Sequence, residues 1–309
     1  MLVHLMASQP ASAGRRPPPE LVSVVIAVHN GTDLLGDQLD ALVAQTYAGD
    51  MEVIVADNRS TDGLSEFLRR YPDADALRLR RVDASERAGA GYARNTGVAE
   101  SAGDFIAFCD HDDRVHPGWL ECLTALAPEH AAVGGGLETA TLNSADVRRW
   151  RQLLPPDVPN GFPGFLRWSP TCNLGIWRDA FDGVGGFDLA YAEGGEDADL
   201  TFRVQLAGGS LGFAPDALIA YRLRDTLIGL WKQSVMFGEG DARLFAGYHR
   251  HGMPRRHWLA TVDVIAYALI RNPLLPTWLT RAPRGAWVFH TGNLVGRVKG
   301  SLRHRCFYV

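Results

Sequence analysis

Phe105-Ile-Ala-Phe-Cys-Asp110-His-Asp112-Asp113 is an apolar run that ends in three carboxylates. Bulky apolar residues in succession read as a strand buried on both faces. Acids gathered at its carboxyl end repel one another unless a cation or a phosphate-bearing ligand compensates them. Oxygen donors suit Mg²⁺ or Mn²⁺, ions that share their coordination sphere with substrate phosphates. The same acids would also serve as a solvated turn capping a helix that begins near Pro117.

The elements upstream decide what this strand belongs to. Leu21 to Val28 is a nearly continuous apolar run entering a turn at His29-Asn30-Gly31, and a helix follows from about Asp33 with Leu35, Leu39 and Leu42 on one face. Val53 to Ala56 ends at Asp57-Asn-Arg-Ser-Thr-Asp62-Gly63, before a short helix carrying Leu64, Phe67 and Leu68. A third strand near Leu77 to Val82 leads through a glycine-rich turn to a helix over Tyr92 to Glu100. Repetition of strand, polar turn and helix predicts an α/β fold: a Rossmann-like, mainly parallel sheet with helices on both faces. Ligands of such sheets bind beyond the carboxyl ends of the strands, where Asp57, Asp110, Asp112 and Asp113 stand.

Five motifs occur in a fixed order: Val24-Val-Ile-Ala-Val-His-Asn30, Val55-Ala-Asp57-Asn-Arg-Ser-Thr-Asp62-Gly63, Ala93-Arg94-Asn95-Thr-Gly97, Ala107-Phe-Cys-Asp110-His-Asp112-Asp113 and Gly194-Gly-Glu196-Asp197-Ala-Asp199-Leu200-Thr-Phe-Arg203. In that order the chain resembles the family-2 glycosyltransferases from about residue 21 to about residue 224. The resemblance implies a GT-A fold and transfer of a sugar, with inversion, from a nucleotide diphospho-sugar to an acceptor hydroxyl. It assigns Asp57 to the donor base, His29 and Asn30 to base or ribose, and Arg94 and Asn95 to the nucleotide side of the sheet. Asp110 would reach the ribose or the metal's water shell, Asp112 would bind the metal, and Asp113 would support the site or cap the next helix. Each has a plainer reading beside it: a turn carboxylate for Asp57, helix packing for Arg94 and Asn95. Arg94 could pair with Asp57 or with a phosphate. Asn58, Ser60 and Asp62 read as residues that build their turn.

The second acidic group, Glu196-Asp197-Ala-Asp199, stands at the start of a helix whose Leu200 and Val204 point inward. Acids are favoured in a first helical turn, but the glycines just upstream let backbone approach a ligand. By resemblance Asp197 is the general base. Glu196 and Asp199 are read as acceptor contacts or helix caps, with Arg203 pairing to one of the acids. Asn173 is a candidate contact to sugar or acceptor, with structural hydrogen bonding as the alternative. Leu153 to Gly164, bordered by Trp150, Phe162, Phe165 and Trp168, could fold over the acceptor. The chain departs from the family where many members carry a metal-binding histidine. Here Tyr221-Arg222-Leu-Arg224 stands, and a guanidinium offers no lone pair to a metal. Arg222 is therefore expected on the diphosphate, and a Mn²⁺ or Mg²⁺ cofactor is expected with less support.

The 309 residues, 46% hydrophobic, can bury a sizeable core, and a net charge of −4 argues against a nucleic-acid partner. Cys109, Cys122, Cys172 and Cys306 show no metal-ligand spacing and read as reduced thiols, which with the lack of a signal-like segment points to the cytoplasm. Residues 1–20 read as a disordered leader, 21–224 as the catalytic domain (nucleotide half 21–115, acceptor half 116–224), and 225–309 as a helical C-terminal extension. Trp258 to Leu275, broken by Asp263, Arg271 and Pro273, is too interrupted to span a bilayer. Apolar, Trp-rich helices interleaved with Arg fit attachment to the inner membrane face, where a glycan or lipid-linked acceptor would be met, and fit equally a helical appendage. Cell-surface glycan, polysaccharide or glycolipid synthesis is the expected setting. Two other classes stay open: a noncatalytic carbohydrate-binding or scaffold protein, and a metal-dependent nucleotidyltransferase, although His29-Asn30-Gly31 lacks the latter's basic glycine loop.

Overall fold

The computed structural model describes residues 15–191, 194–273, 275, 280 and 283–309. The first apolar run forms β1 (Leu21–Val28), flanked in parallel by β2 (Asp50–Asp57) and β4 (Phe105–Phe108), with β3 (Arg80–Asp83) outside β2. Alternate residues of these strands point to opposite faces, and both faces are covered. Val22, Val24 and Ile26 pack with Leu35, Leu39 and Leu42 of α1 (Thr32–Val43) and with Leu64 and Leu68 of α2 (Leu64–Arg69). On the other face Val25, Ile54 and Ile106 meet Val98 of α3 (Ala90–Ala99). Gly97 lets α3 lie this close, because a β-carbon there would sit 2.6 Å from Val25 Cγ1.

Beyond β4 the sheet turns mixed. Its order is β3-β2-β1-β4-β7-β6-β8-β5, with β5 (Arg114–Val115), β6 (Ala132–Glu138), β7 (Leu174–Trp177) and β8 (Leu211–Ala220). The strand β7 runs antiparallel to β4 and β6, and β5 runs antiparallel to β8. Only residues 109–113 separate β4 from β5, which stand four places apart in the order. So short a link spans at most about 20 Å, so the sheet curls back on itself. The curl is built where the β6–β8 register slips between Gly135 and Gly136. Glycine is required there: a β-carbon on Gly136 would lie 2.5 Å from the Pro156 carbonyl. The sequence pattern did not announce β6, since Gly134-Gly-Gly136 has neither branched side chains nor alternation.

Residues 116–224 add α4 (Trp119–Leu126), α5 (Ala145–Arg148), α6 (Arg178–Gly183) and α7 (Glu196–Leu206), in which Leu200 and Val204 are buried as expected. The expected leader is only partly outside description. Residues 1–14 lie beyond the described residues, but from Arg15 the chain is docked rather than disordered. Arg16 Nη1 donates to Asp179 Oδ1 at 2.8 Å, and its guanidinium lies over the Trp177 ring.

The C-terminal region is helical, in α8 (Leu227–Tyr248), α9 (Trp258–Ile270) and α10 (Arg284–Arg303). Small residues let α8 and α10 pack backbone to backbone: Ser234, Gly238 and Ala242 on one, Gly292, Gly296 and Gly300 on the other. A β-carbon on Gly296 would collide with the Val235 carbonyl, and one on Gly300 would lie 2.8 Å from Ala242 Cβ. Buried Glu239 of α8 accepts from Lys299 Nζ (2.8 Å) and Arg303 Nη1 (2.9 Å) of α10. Among the described residues no helix is long and apolar enough to cross a membrane.

Gly296→Leu should pry α10 from α8 and lower stability by about 1–3 kcal/mol, as overpacking does. A lower urea midpoint at unchanged slope would show it; an unchanged midpoint would show that this seam does not hold the extension.

Candidate active site

The turns after β1 and β2 are locked to each other. Asn30 adopts a left-handed φ of 52° and accepts the Thr61 N–H on Oδ1 at 2.7 Å, while Asp62 Oδ2 accepts from Thr32 N and Oγ1, both at 2.9 Å. Asn58 Nδ2 donates to the Ala84 and Arg87 carbonyls, and its Oδ1 accepts the Gly89 N–H, which fixes the glycine turn before α3. His29 Nδ1 lies 2.8 Å from the Asn58 carbonyl. Asp57 is 3% exposed, and its partner is not Arg94. Arg81 of β3 donates to Oδ2 through Nε (2.9 Å) and Nη2 (2.6 Å), and Oδ1 accepts from Ser60 N. The register that pairs Asp57 with Asp83 sets Arg81 two residues from that partner, a tertiary fact invisible in either motif.

Arg94 instead stands between the two acidic motifs. It is 6% exposed; Nη2 donates to Asp110 Oδ1 at 2.8 Å and Nη1 lies 3.6 Å from Glu196 Oε1. Asp197 follows Glu196 in the first turn of α7 and accepts the Ala198 N–H at 2.8 Å. Burial and the adjacent Glu196 push its carboxyl up to about 7, although Arg94 and the helix N–H groups favour the charged form. A carboxyl poised near neutral pH suits proton abstraction.

The Asp110–Asp113 turn is arranged differently from the expectation. Asp112, the expected metal ligand, gives Oδ2 to Arg224 Nη1 at 3.1 Å. Asp113 is 2% exposed; Oδ1 accepts the Arg222 N–H at 2.7 Å, and buried Oδ2 has no partner among the described residues. Burial, Asp110 and Asp112 raise its pKa well above the ordinary carboxyl range. Asp110, Asp113 and Cys172 bring one ligand atom each within 4.8 Å of one another. The orphaned carboxylate oxygen and the adjacent Asp110 fit a hard divalent cation. Cys172 fits less well, because burial and these two acids raise its thiol pKa well above the usual value and keep it protonated. No sequence spacing suggested Cys172, which lies far from the acidic turn along the chain.

Four further expectations are corrected. Arg222 does not face the ligand space: its Nε donates to the Asp112 carbonyl at 2.7 Å, and Arg224 lines the cavity instead. Asn95 uses both ends of its amide on the Phe187 backbone (2.9 and 2.8 Å), which pins the loop before α7. Asn173 is fully buried, accepting from Trp119 Nε1 and donating to the Gly136 and Ala217 carbonyls, all at 2.8 Å. It holds the bend of the sheet and cannot touch an acceptor. Asp199 is 2% exposed and is taken by Arg203, through Nε and Nη2, and by the Tyr248 hydroxyl at 2.6 Å. It ties α7 to α8.

Asp110, Arg94, Glu196, Asp197 and Arg224 share a cavity of about 380 Å³. Leu153 to Pro156 and Val158 line it, so the Pro/Gly loop borders the cavity, while Phe162 and Phe165 anchor that loop against Phe202. A contiguous space of about 270 Å³ also reaches Glu196 and Asp197 but not Asp110, Arg94 or Arg224. Gln233, Met236 and Phe237 of α8 wall the larger space, so the C-terminal region completes the site. Arg151 and Gln233 were missed by sequence reasoning, because no motif surrounds them, and Tyr221 was read only as the neighbour of Arg222. Ala192 and Glu193 of the expected flexible stretch lie outside the described residues.

The profile described as Glycosyl transferase family 2 matches residues 23–177. Glycosyltransferase AglE of Haloferax volcanii is 32% identical over 229 residues, covering 72% of this chain and 74% of that protein. Succinoglycan biosynthesis protein ExoM of Rhizobium meliloti is 33% identical over 220 residues, covering 67% and 69%. Among solved structures, the mannosyltransferase PcManGT of Pyrobaculum calidifontis, in complex with GDP-mannose and Mn²⁺, superposes with a TM-score of 0.61 at 20% identity, covering 94% of this chain and 88% of that one. That likeness gives the GT-A fold.

Asp113→Asn replaces the orphaned oxygen by a donor facing Asp110 and removes a carboxyl that the fold penalises once pH exceeds its unfolded value near 4. The variant should be more stable than wild type at pH 7–8 without metal and should bind Mn²⁺ more weakly, both readable by calorimetry. Equal Mn²⁺ affinity would remove Asp113 from the cation site.

Proposed function

The chain belongs to glycosyl transferase family 2, and from that premise we propose that it moves a sugar, with inversion, from a nucleotide diphospho-sugar to an acceptor hydroxyl. The observation that carries this reading is Asp197, a carboxyl tuned to about 7, lining the same cavity as the Arg94–Asp110 pair. The donor base and ribose are assigned to the ends of β1 and β2, where His29, Asn30 and the Asp57–Arg81 pair lie. The diphosphate is assigned to Arg94 and Arg224. Asp110 and Asp113 would hold Mn²⁺ or Mg²⁺, joined by Asp112 if Arg224 turns to the phosphate. When bound, the ion would neutralise the charge that gathers on the departing diphosphate. Asp197 takes the proton from the acceptor hydroxyl as that oxygen attacks the anomeric carbon opposite the leaving group, and the in-line approach inverts the configuration. The cavity walls of α8 and of the Leu153–Val158 segment exclude water that would otherwise hydrolyse the donor.

The acceptor is proposed to be a surface glycan or a lipid-linked one, in keeping with the polysaccharide role that ExoM's name carries for that protein. A membrane location is supported by charge and by one helix. Residues 225–309 hold twelve Lys and Arg against four Asp and Glu, a formal +8; the whole chain is −4, so residues 1–224 carry −12. On α9, Trp258, Val262, Ile265 and Leu269 recur at helical spacing and are exposed, Trp258 by 65% and Leu269 by 69%. Away from that ridge, α9 is held to α10 by Trp287, whose Nε1 donates to the Ala268 carbonyl, and by Tyr267, whose ring meets that of His290. An apolar ridge preceded along the chain by Arg250 and Arg255, which pair with no acid among the described residues, fits the interfacial zone of an anionic bilayer.

Two measurements test these readings. Release of nucleotide from a panel of nucleotide sugars should depend on a deprotonated Asp197, so kcat/KM should fall as pH drops below about 7. Glu196→Gln removes the second contributor to that pKa and should move the acid limb to lower pH, while Asp197→Asn should lose about 10²-fold or more. Turnover retained in Asp197→Asn would sink the general-base assignment. Cosedimentation with phosphatidylglycerol vesicles, but not with phosphatidylcholine ones, is expected for the full chain and should weaken with salt. Trp258→Ser with Leu269→Ser should abolish it. Failure of the wild type to bind either vesicle would end the membrane reading.

A further inference from the structure

Arg151 is a cation that the reaction proposed above does not use. It follows α5, and its guanidinium sits among three aromatic rings: Phe237 at 4.8 Å from Cζ to centroid, Tyr221 at 5.5 Å and Phe289 at 5.7 Å. Among the described residues its only hydrogen bonds are long and made to neutral acceptors, from Nη1 to Tyr221 Oη and to Gln233 Oε1, both 3.3 Å. Among the described residues no carboxylate pairs with it. It lines both the cavity that holds Asp110 and Arg94 and the adjoining one that holds Asp197 without them.

A guanidinium whose task was to tie helices together would gain from a carboxylate partner, or could be replaced by an apolar side chain without the cost of desolvation. Each ring contributes roughly 0.5–2 kcal/mol through its π face, which orients the planar fork but leaves the positive charge uncompensated. The donors not spent on Tyr221 and Gln233 match the two oxygens of a carboxylate or phosphate. Glu196, Asp197 and Asp241 also line the smaller cavity, and Arg151 is the one cationic side chain among its described lining residues, so an anion that enters that space is held against Arg151. Trp168 and Phe237 line it too and offer faces on which a sugar ring stacks.

We infer that Arg151 forms an anion subsite for the acceptor, and that the acceptor carries an oxyanion, either the carboxylate of an acidic sugar or a phosphate, next to the hydroxyl that is glycosylated. The inference rests on the glycosyltransferase reading and names the chemical class of its second substrate.

The test holds the enzyme saturated with its nucleoside diphosphate and Mn²⁺ and measures binding of glucuronate, glucose 6-phosphate and glucose by ligand-observed NMR. Wild type should prefer one or both anionic probes to glucose by tenfold or more. Arg151→Gln should lose that preference and Arg151→Lys should keep part of it, with nucleotide affinity unchanged in both. Inorganic phosphate should displace the anionic probe from wild type, a result that needs no variant. Preference for glucuronate alone would mark an acidic sugar, and for glucose 6-phosphate alone a phosphate-linked acceptor. No preference in wild type, or one that survives Arg151→Gln, overturns the subsite. Weaker nucleotide binding in Arg151→Gln overturns it by moving Arg151 to the donor. If no nucleotide binds to wild type, the donor site itself is wrong and the inference falls with it.

Discussion

One buried guanidinium organises the site. Arg94 sits on α3 and reaches Asp110 at the end of β4 and Glu196 at the start of α7, groups that without it would repel across a desolvated cavity. Breaking a buried pair on one side strands the other charge at a cost of about 3–5 kcal/mol, so the spacing between the Asp110 and Glu196 carboxylates is set by this residue. Arg94 can lie there because Gly97, three residues on, lets α3 press against Val25 of β1. The helix backbone, the sheet and the two acidic motifs are thus one mechanical unit. What remains uncompensated, Asp113 Oδ2 and the raised carboxyl of Asp197, is where a cation and a proton would be handled.

The second constraint comes from the C-terminal helices. Asp199 ties α7 to α8 through the Tyr248 hydroxyl, so the helix that carries Asp197 is anchored from outside the sheet. The glycine seam between α8 and α10 then stiffens α8, whose Gln233, Met236 and Phe237 wall the cavity. A region that looks like an appendage in composition therefore supplies part of the cavity wall. Its formal charge of +8 stands against −12 for residues 1–224.

The strands β1, β2 and β4, the helices between them and both acidic motifs were legible because each is a local pattern. Continuous apolar runs end in polar turns, and periodicity marks α1 and α7. The strand β6 was not legible: Gly134-Gly-Gly136 is chosen for what must fit against it, Ser169, Ala217 and Pro156, and all three are remote in sequence. The docking of Arg16 on Asp179 and Trp177 escaped for the same reason, since composition alone cannot show that a Pro-rich stretch has a surface to lie on.

For the site, the sequence by itself determined which residue types stand at the carboxyl ends of the strands, and with them the family and the class of reaction. Only the tertiary structure decided the pairing. It gave Asp57 to Arg81, Asp110 to Arg94 and Asp112 to Arg224, turned Asn95, Asn173 and Asp199 into struts, and set Arg151 free of any acid among the described residues. The reason is physical. Strand and helix signals are written in the spacing of neighbours along the chain, whereas a charge or an amide takes the partner that lies within about 3 Å after folding, and desolvation penalises whichever group is left without one.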